Sequence, residues 1–345
     1  MFIYGVDFIK DDQSGERGGG IERASIFPSG TSKNEGVFLE NALEYKRFKM
    51  LIGGRLDYYT LESGRESLSY NSGFLKKASV GYEITEGLTP FVRYTEGYRA
   101  PFLKETFASG SIVSVPFFNL NLLSNTSLNA EYSKNYEVGF KFVKDFYMEG
   151  DGVFLDGIYF MQDIEDFIIQ DPNCVPATCA MFPASFTFQY QNLEKVRFQG
   201  FEGSLKFKYN GYLLAISAST LNAYEVKNNN NLLQIPQNKL VVTVGKKFEN
   251  GLFIGIESLS ASSVGVGDFR TYSLAVTQFM GQPIGGILNT DCSAMQLCED
   301  TRGYSVLNAN IEFSKKFAKM EYKVGSSINN IFDTYYKQQA SFIPG

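Results

Sequence analysis

The 345-residue chain contains no histidine. That absence excludes Ser-His-Asp hydrolysis, Cys-His proteolysis, His-ligated zinc and a histidine axial ligand to haem iron. Tryptophan is also missing, and proline is limited to 10 residues. No apolar stretch approaches the roughly 18 residues that a membrane-spanning helix needs. The net charge is −5 with no basic patch, so no nucleic-acid partner is expected. Cysteine is confined to two local pairs, Cys174 and Cys179 in "NCVPATC" and Cys292 and Cys298 in "DCSAMQLC". Each pair sits in a loop-like stretch without a third or fourth soft ligand nearby. Two local disulfides and no metal site are therefore expected, which places the chain in an oxidising compartment. The opening residues "MFIYGVDFIKDD" have neither a basic leader region nor a small-residue cleavage site. They read as the middle of a strand, so a start further upstream is expected.

What the chain does have is 21 tyrosines, 31 phenylalanines and 33 glycines. Tyr and Phe favour pleated, half-buried surfaces. Hydrophobic residues make up only 44%, but bulk hydropathy is blind to membrane β-barrels, whose strands alternate lipid-facing and lumen-facing residues. Period-2 alternation recurs along the chain. In "FEGSLKFKY", Phe201, Gly203, Leu205, Phe207 and Tyr209 share one face, and Glu202, Ser204, Lys206 and Lys208 the other. Tyr136, Val138, Phe140 and Phe142 likewise oppose Glu137, Gly139 and Lys141. No helical stripe competes with this pattern.

The alternation predicts about 13 strands, near 1–12, 35–48, 50–62, 74–85, 88–99, 132–145, 152–168, 196–209, 211–223, 239–249, 251–262, 304–317 and 319–330. Several exceed the usual soluble strand of about 5–6 residues and match the roughly 9–11 needed for a tilted crossing of a bilayer. Connections alternate between short (near Arg47–Lys49, Thr85–Leu88, Phe146–Gly152, Asn210–Gly211, Glu249–Gly251 and Phe317–Lys319) and long (13–34, 63–73, 107–131, 169–190, 224–238 and 263–303). Short turns at one end and long loops at the other describe an outer-membrane barrel. Both cysteine pairs fall in long connections, on the outer side. The expected fold is all-β: an antiparallel transmembrane barrel, one partial barrel domain over 1–345. The terminal "SFIPG" reads as the start of another strand, because single-chain bacterial barrels have even strand counts.

Two stretches carry a family resemblance. "EGYRAPFLKETF" (residues 96–107) resembles the "FRAP" box of TonB-dependent outer-membrane receptors, in particular the haem and haemoglobin group. "NTSLNAEYSKNYEVGFKF" resembles that family's "NPNL" box and its tail. The box positions here are Asn125, Thr126, Ser127 and Leu128, and the tail matches Glu131, Ser133, Lys134, Tyr136, Glu137 and Gly139. "RFQGFEGSLKF" and "SINNIFDTYY" are similar to two later landmarks of the same family. The resemblance implies a 22-strand barrel with a plug domain that has no counterpart in this chain. It implies residence in the bacterial outer membrane among its lipids, and import of haem or a ferric siderophore captured by extracellular loops. It implies energy from a TonB complex acting through the plug, no covalently bound cofactor and no enzyme activity. Haem receptors of this group carry a ligating histidine between the boxes; here residues 102–124 hold neither His nor Tyr. Siderophore or cobalamin uptake and a non-functional receptor fragment are the alternatives. A plug-free porin needs neither box, and a hydrolase lacks its histidine.

The family motif positions are Tyr98, Arg99, Ala100, Pro101, Asn125, Leu128, Glu131 and Tyr136. For Tyr98 and Pro101 the plain reading is structural, a girdle aromatic and a proline that closes strand pairing. Direct ligand contact is the functional alternative for Arg99. Glu131 and Lys134 read as solvated charges facing the lumen, or as contacts to a plug. "DIEDF" (Asp163–Phe167) reads as the base of a loop.

Overall fold

The computed structural model describes residues 1–15, 26–115, 118–146, 150–173, 184–232, 236–264, 277–279, 282–284, 302–317 and 320–336. All four cysteines lie outside the described residues. In chain order the elements are β1 (Phe2–Gln13), β2 (Gly30–Tyr45), β3 (Phe48–Ser63), β4 (Glu66–Asn71), β5 (Leu75–Tyr82) and β6 (Leu88–Arg99). Then come α1 (Leu103–Phe107), β7 (Gly110–Val115), β8 (Phe118–Leu123), β9 (Glu131–Asp145), β10 (Gly152–Asn173), β11 (Ala184–Tyr209) and β12 (Tyr212–Glu225). The last are β13 (Asn230–Asn231), β14 (Lys239–Lys247), β15 (Leu252–Ala261), β16 (Thr277–Phe279), β17 (Gln282–Ile284), β18 (Tyr304–Phe317) and β19 (Met320–Ile328).

A single 17-stranded sheet takes all of these strands except the small β16–β17 hairpin. Its wall is a meander, β1-β2-β3-β5-β6-β9-β10-β11-β12-β14-β15-β18-β19, with every neighbour antiparallel. These are the strands that the alternation predicts. The short elements α1, β4, β7, β8 and β13 all sit in the long connections. Because the direction reverses at each step, β1 and β19 run the same way. Among the described residues no ladder joins them.

The short turns follow from local chemistry. Asn210 and Gly211 both have positive φ, 48° and 76°, which is the two-residue hairpin turn whose twist matches the flanking strands. It sets the register Tyr209↔Tyr212. Three strands run further than expected: β2 already begins at Gly30, paired with Gln13. β10 continues to Asn173, and β11 begins at Ala184, paired as far out as Asn173↔Thr187. "DIEDF" is therefore ladder and not a loop base, with only Asp166 forced to positive φ (55°).

The two faces of the wall differ in chemistry. One cross-strand row reads Val80, Val92, Val138, Tyr159 and Phe201, all between 37% and 55% exposed. Leaving such a half-exposed row against water forfeits about 1 kcal/mol per side chain, roughly half the value of full burial, so this face is suited to an apolar medium. Two residues further along, Tyr94 packs on Tyr136 with ring centroids 5.1 Å apart. The opposite face is polar. Arg93 pairs with Glu137 at 2.8 Å and Lys77 with Glu40 at 2.8 Å. Arg55 Nη1 donates to Asp7 at 2.5 Å and its Nε to Asp57 at 2.7 Å. Gly36 lies between those strands, and a Cβ there would overlap the Arg55 guanidinium.

Candidate functional site

β6 ends on Arg99, directly opposite Glu131 at the start of β9. Arg99 holds Glu131 in a two-pronged pair, Nε to Oε2 at 2.7 Å and Nη2 to Oε1 at 2.6 Å. Its third nitrogen, Nη1, donates to both oxygens of Glu105, at 3.1 and 2.9 Å. Fork-to-carboxylate bonds of this kind add geometric specificity to charge attraction. The guanidinium also lies over the Phe102 ring, 5.0 Å from its centroid. Burial alone would lower the Arg99 pKa, but the bonds to Glu131 and Glu105 override it and hold the group above its ordinary value. Glu131 also accepts the backbone N–H of Ile168 at 2.8 Å. One buried carboxylate thus ties β6, β9 and β10 together.

The segment that follows Arg99 is locked from its first residues. Ala100 and Pro101 are buried. Pro101 has no N–H, so it ends the pairing of β6 without leaving a buried donor. Glu105 accepts from the Phe102 N–H at 2.8 Å, closing the first turn of α1. Thr106, fully buried, offers its carbonyl to the Asn125 N–H at 2.9 Å. The beginning and end of the connection are thereby joined.

Asn125 then fastens the far end of the connection. Its Nδ2 donates to the Tyr190 carbonyl at 2.8 Å. Its Oδ1 accepts from the Ser127 N–H at 3.1 Å and the Ser127 hydroxyl at 2.7 Å, the local turn that Asn favours. Leu128 is buried at 3% exposure. Next to it, Asn192 Oδ1 accepts from the Asn129 N–H at 2.9 Å, and Asn192 Nδ2 donates to the carbonyls of Asn129 and Asp166 at 3.1 and 2.6 Å. Between these anchors β8 lies parallel to the outer part of β11, Phe118 beside Ala184 through Leu123 beside Gln189.

The structure therefore brings Arg99, Ala100, Pro101, Asn125, Leu128 and Glu131 together. It does not bring in Tyr136, which lies on the apolar face against Tyr94. Tyr98 packs edge-on to Tyr132 at 5.1 Å. Two expectations need correction. Glu131 is 9% exposed at its side chain, and is an internal anchor instead of a solvated charge. Lys134 stands in line with Tyr136 on the apolar side and pairs with Glu165 at 3.1 Å. Sequence reasoning missed Glu105, Asn192, Tyr190 and the Ile168 N–H. Of these only Glu105 lies inside a stretch that carries the resemblance, "EGYRAPFLKETF", and the resemblance gives it no role.

A family model described as "TonB dependent receptor-like, beta-barrel" matches residues 2–331. Among curated proteins, the chain is 27% identical over 214 residues to the heme/hemopexin utilization protein C of Haemophilus influenzae, covering 58% of this chain and 30% of that protein. It thus spans about a third of the length of the curated relatives it matches. Among solved structures, the copper transporter OprC superposes with a TM-score of 0.70 at 14% identity, over 98% of this chain and 49% of that one. The Serratia marcescens hemophore receptor HasR, solved with its hemophore HasA and heme, gives 0.68 at 17% identity over 97% and 53%. The FrpB iron transporter of Neisseria meningitidis gives 0.62 at 17% identity over 92% and 43%. With the meander, its two faces and both boxes in place, this chain belongs to the TonB-dependent receptor β-barrel family.

Proposed function

We propose that this chain builds part of the wall, and the loop platform, of an outer-membrane receptor that imports haem. The observation that carries this reading is the latched segment between the boxes. Arg99 and Asn125 hold its two ends, and β8 is paired onto β11, so the wall itself fixes those parts of the segment. Preorganisation of this kind removes part of the ordering cost of binding. Residues 106–130 carry no charged side chain, which suits a largely apolar planar ligand better than an anionic iron chelate. Phe102, 55% exposed and stacked on Arg99, offers a flat surface beside that segment.

The relatives support the choice of ligand: those matched by sequence are named for heme and hemopexin utilization. Siderophore import is the second reading, favoured by the resemblance in fold to the ferric enterobactin receptor PfeA, TM-score 0.66. In either case transport involves no covalent chemistry. Residues 1–345 contribute one partial barrel domain, with a plug and a TonB complex supplied outside it. β1 and β19 are joined through an odd number of further antiparallel strands, because only an even total closes without a parallel seam.

The test is growth of iron-starved cells on haem alone, paired with titration of haem into the purified receptor and observation of its Soret band. Loss of growth on gene disruption together with a haem-induced Soret shift supports the reading. Unchanged growth, or no shift, overturns it in favour of a siderophore.

A further inference from the structure

The apolar face carries an ionic row at one level. On adjacent strands, Glu96 stands opposite Lys134, Lys134 opposite Asp163, and Asp163 opposite Arg197. Lys76 extends the row past Glu96, 3.7 Å away. The signs alternate across five strands, from β5 to β11. This row is two residues beyond the Tyr94–Tyr136 pair, or about 7 Å along the strand. That pair is in turn two residues beyond the valine row.

Charges on a lipid-facing parity are costly within hydrocarbon and fall steeply in cost toward the interface. Aromatic belts mark the level of the headgroups. The ionic row is flanked on the same face by the Tyr94–Tyr136 pair below and the Tyr98–Tyr132 pair above, so it lies within such a belt, where lipid phosphates lie. The exposures say which sign meets them. Lys76 is 63% exposed and its partner Glu96 15%. Lys195 and Arg197 are 35% and 29% exposed, and the Asp163 between them 11%. Glu96 and Asp163 sit against the wall while Lys76, Lys195 and Arg197 project from it; Lys134 and its partner Glu165 are exposed alike, 44% and 48%.

We infer that this row docks the phosphate groups of an anionic outer-leaflet glycolipid and sets the depth of the wall in the membrane. The inference rests on the outer-membrane barrel reading proposed above. It goes further by assigning a lipid chemistry and the residues that recognise it. The recessed carboxylates hold the cationic side chains upright, so that little rotamer entropy remains to be lost on binding.

The test uses the whole gene product, extracted in detergent and exchanged against mixed micelles. The micelles contain either a bisphosphorylated acylated glucosamine disaccharide or its dephosphorylated form, and retained glycolipid is counted per protein. Retention of the phosphorylated form only is expected, with about a fivefold loss for each cation removed in K76Q and K195Q. K323Q, an exposed lysine outside the row, is expected to leave retention unchanged. Equal retention of the two glycolipids, or full retention by the K76Q/K195Q double variant, overturns the inference and leaves the barrel reading standing. A gene product absent from the outer-membrane fraction overturns both.

Discussion

Arg55 and Arg99 are the same chemical device in two settings. Each guanidinium sits between two carboxylates, Asp7 and Asp57 for Arg55, Glu131 and Glu105 for Arg99. Arg55 spans β1, β2 and β3, which continuous backbone ladders already join. Arg99 spans a wall strand and α1, and α1 shares no ladder with the wall. In the first case the ion pairs repeat what the sheet has done. In the second they tie α1, at the start of a connection, to the wall, where no backbone ladder does so. An ion pair positions structure only where the backbone has not already done so.

Four substitutions can break or sharpen that contrast. The largest effect is expected for Arg99→Ala. It leaves Glu131 and Glu105 uncompensated, at a cost of about 3 kcal/mol for a mostly buried pair. Amide exchange should speed up across 102–130 while the barrel keeps its gel mobility unboiled, and haem-dependent growth should fall at least tenfold. An unchanged exchange pattern would show that Arg99 is as redundant as Arg55. Next is Gly36→Val, whose branched side chain would displace the Arg55 fork, for about 2 kcal/mol of overpacking. Thermal unfolding in detergent should register it, with ligand uptake unaffected. Asn125→Ala removes the bond to Tyr190 and the turn to Ser127, roughly 1 kcal/mol, and should expose 118–130 to limited proteolysis. The smallest effect belongs to Arg55→Lys, about 0.5 kcal/mol or less. It keeps the charge and loses the fork, and no change in uptake should follow. A loss of uptake there comparable to that of Arg99→Ala would end the distinction.

Much of the wall was legible in the sequence because period-2 alternation is a local property. Val92, Tyr94 and Glu96 share a face whatever the rest of the chain does. The outer parts of β10 and β11 were not legible. "FTFQYQN" (residues 186–192) alternates, but its Asn and Gln suggest a loop, and it becomes strand only through partners more than ten residues away. The orientation of Lys134 failed for a related reason. Glu131 and Lys134 are three apart, so they face opposite sides of one strand, and a single residue of register decides which side is inner. Alternation says that the two differ and does not say which is buried. The latch was half legible. Arg99 and Glu131 drew attention through the boxes. Glu105 did not, because a five-residue helix has no periodicity to read.

By itself the sequence determined an all-β chain, the places where its strands turn, the absence of imidazole chemistry and the uncharged character of the segment between the boxes. Those features depend on residue type and on spacing along the chain. The tertiary structure decided that Glu131 is an anchor and Lys134 an outward charge. It also decided that Arg99 holds a connection while Arg55 only reinforces a sheet. Those assignments depend on which strands become neighbours. A guanidinium reaches only a few ångströms past its own backbone, so its role is set by whatever the fold places within that reach.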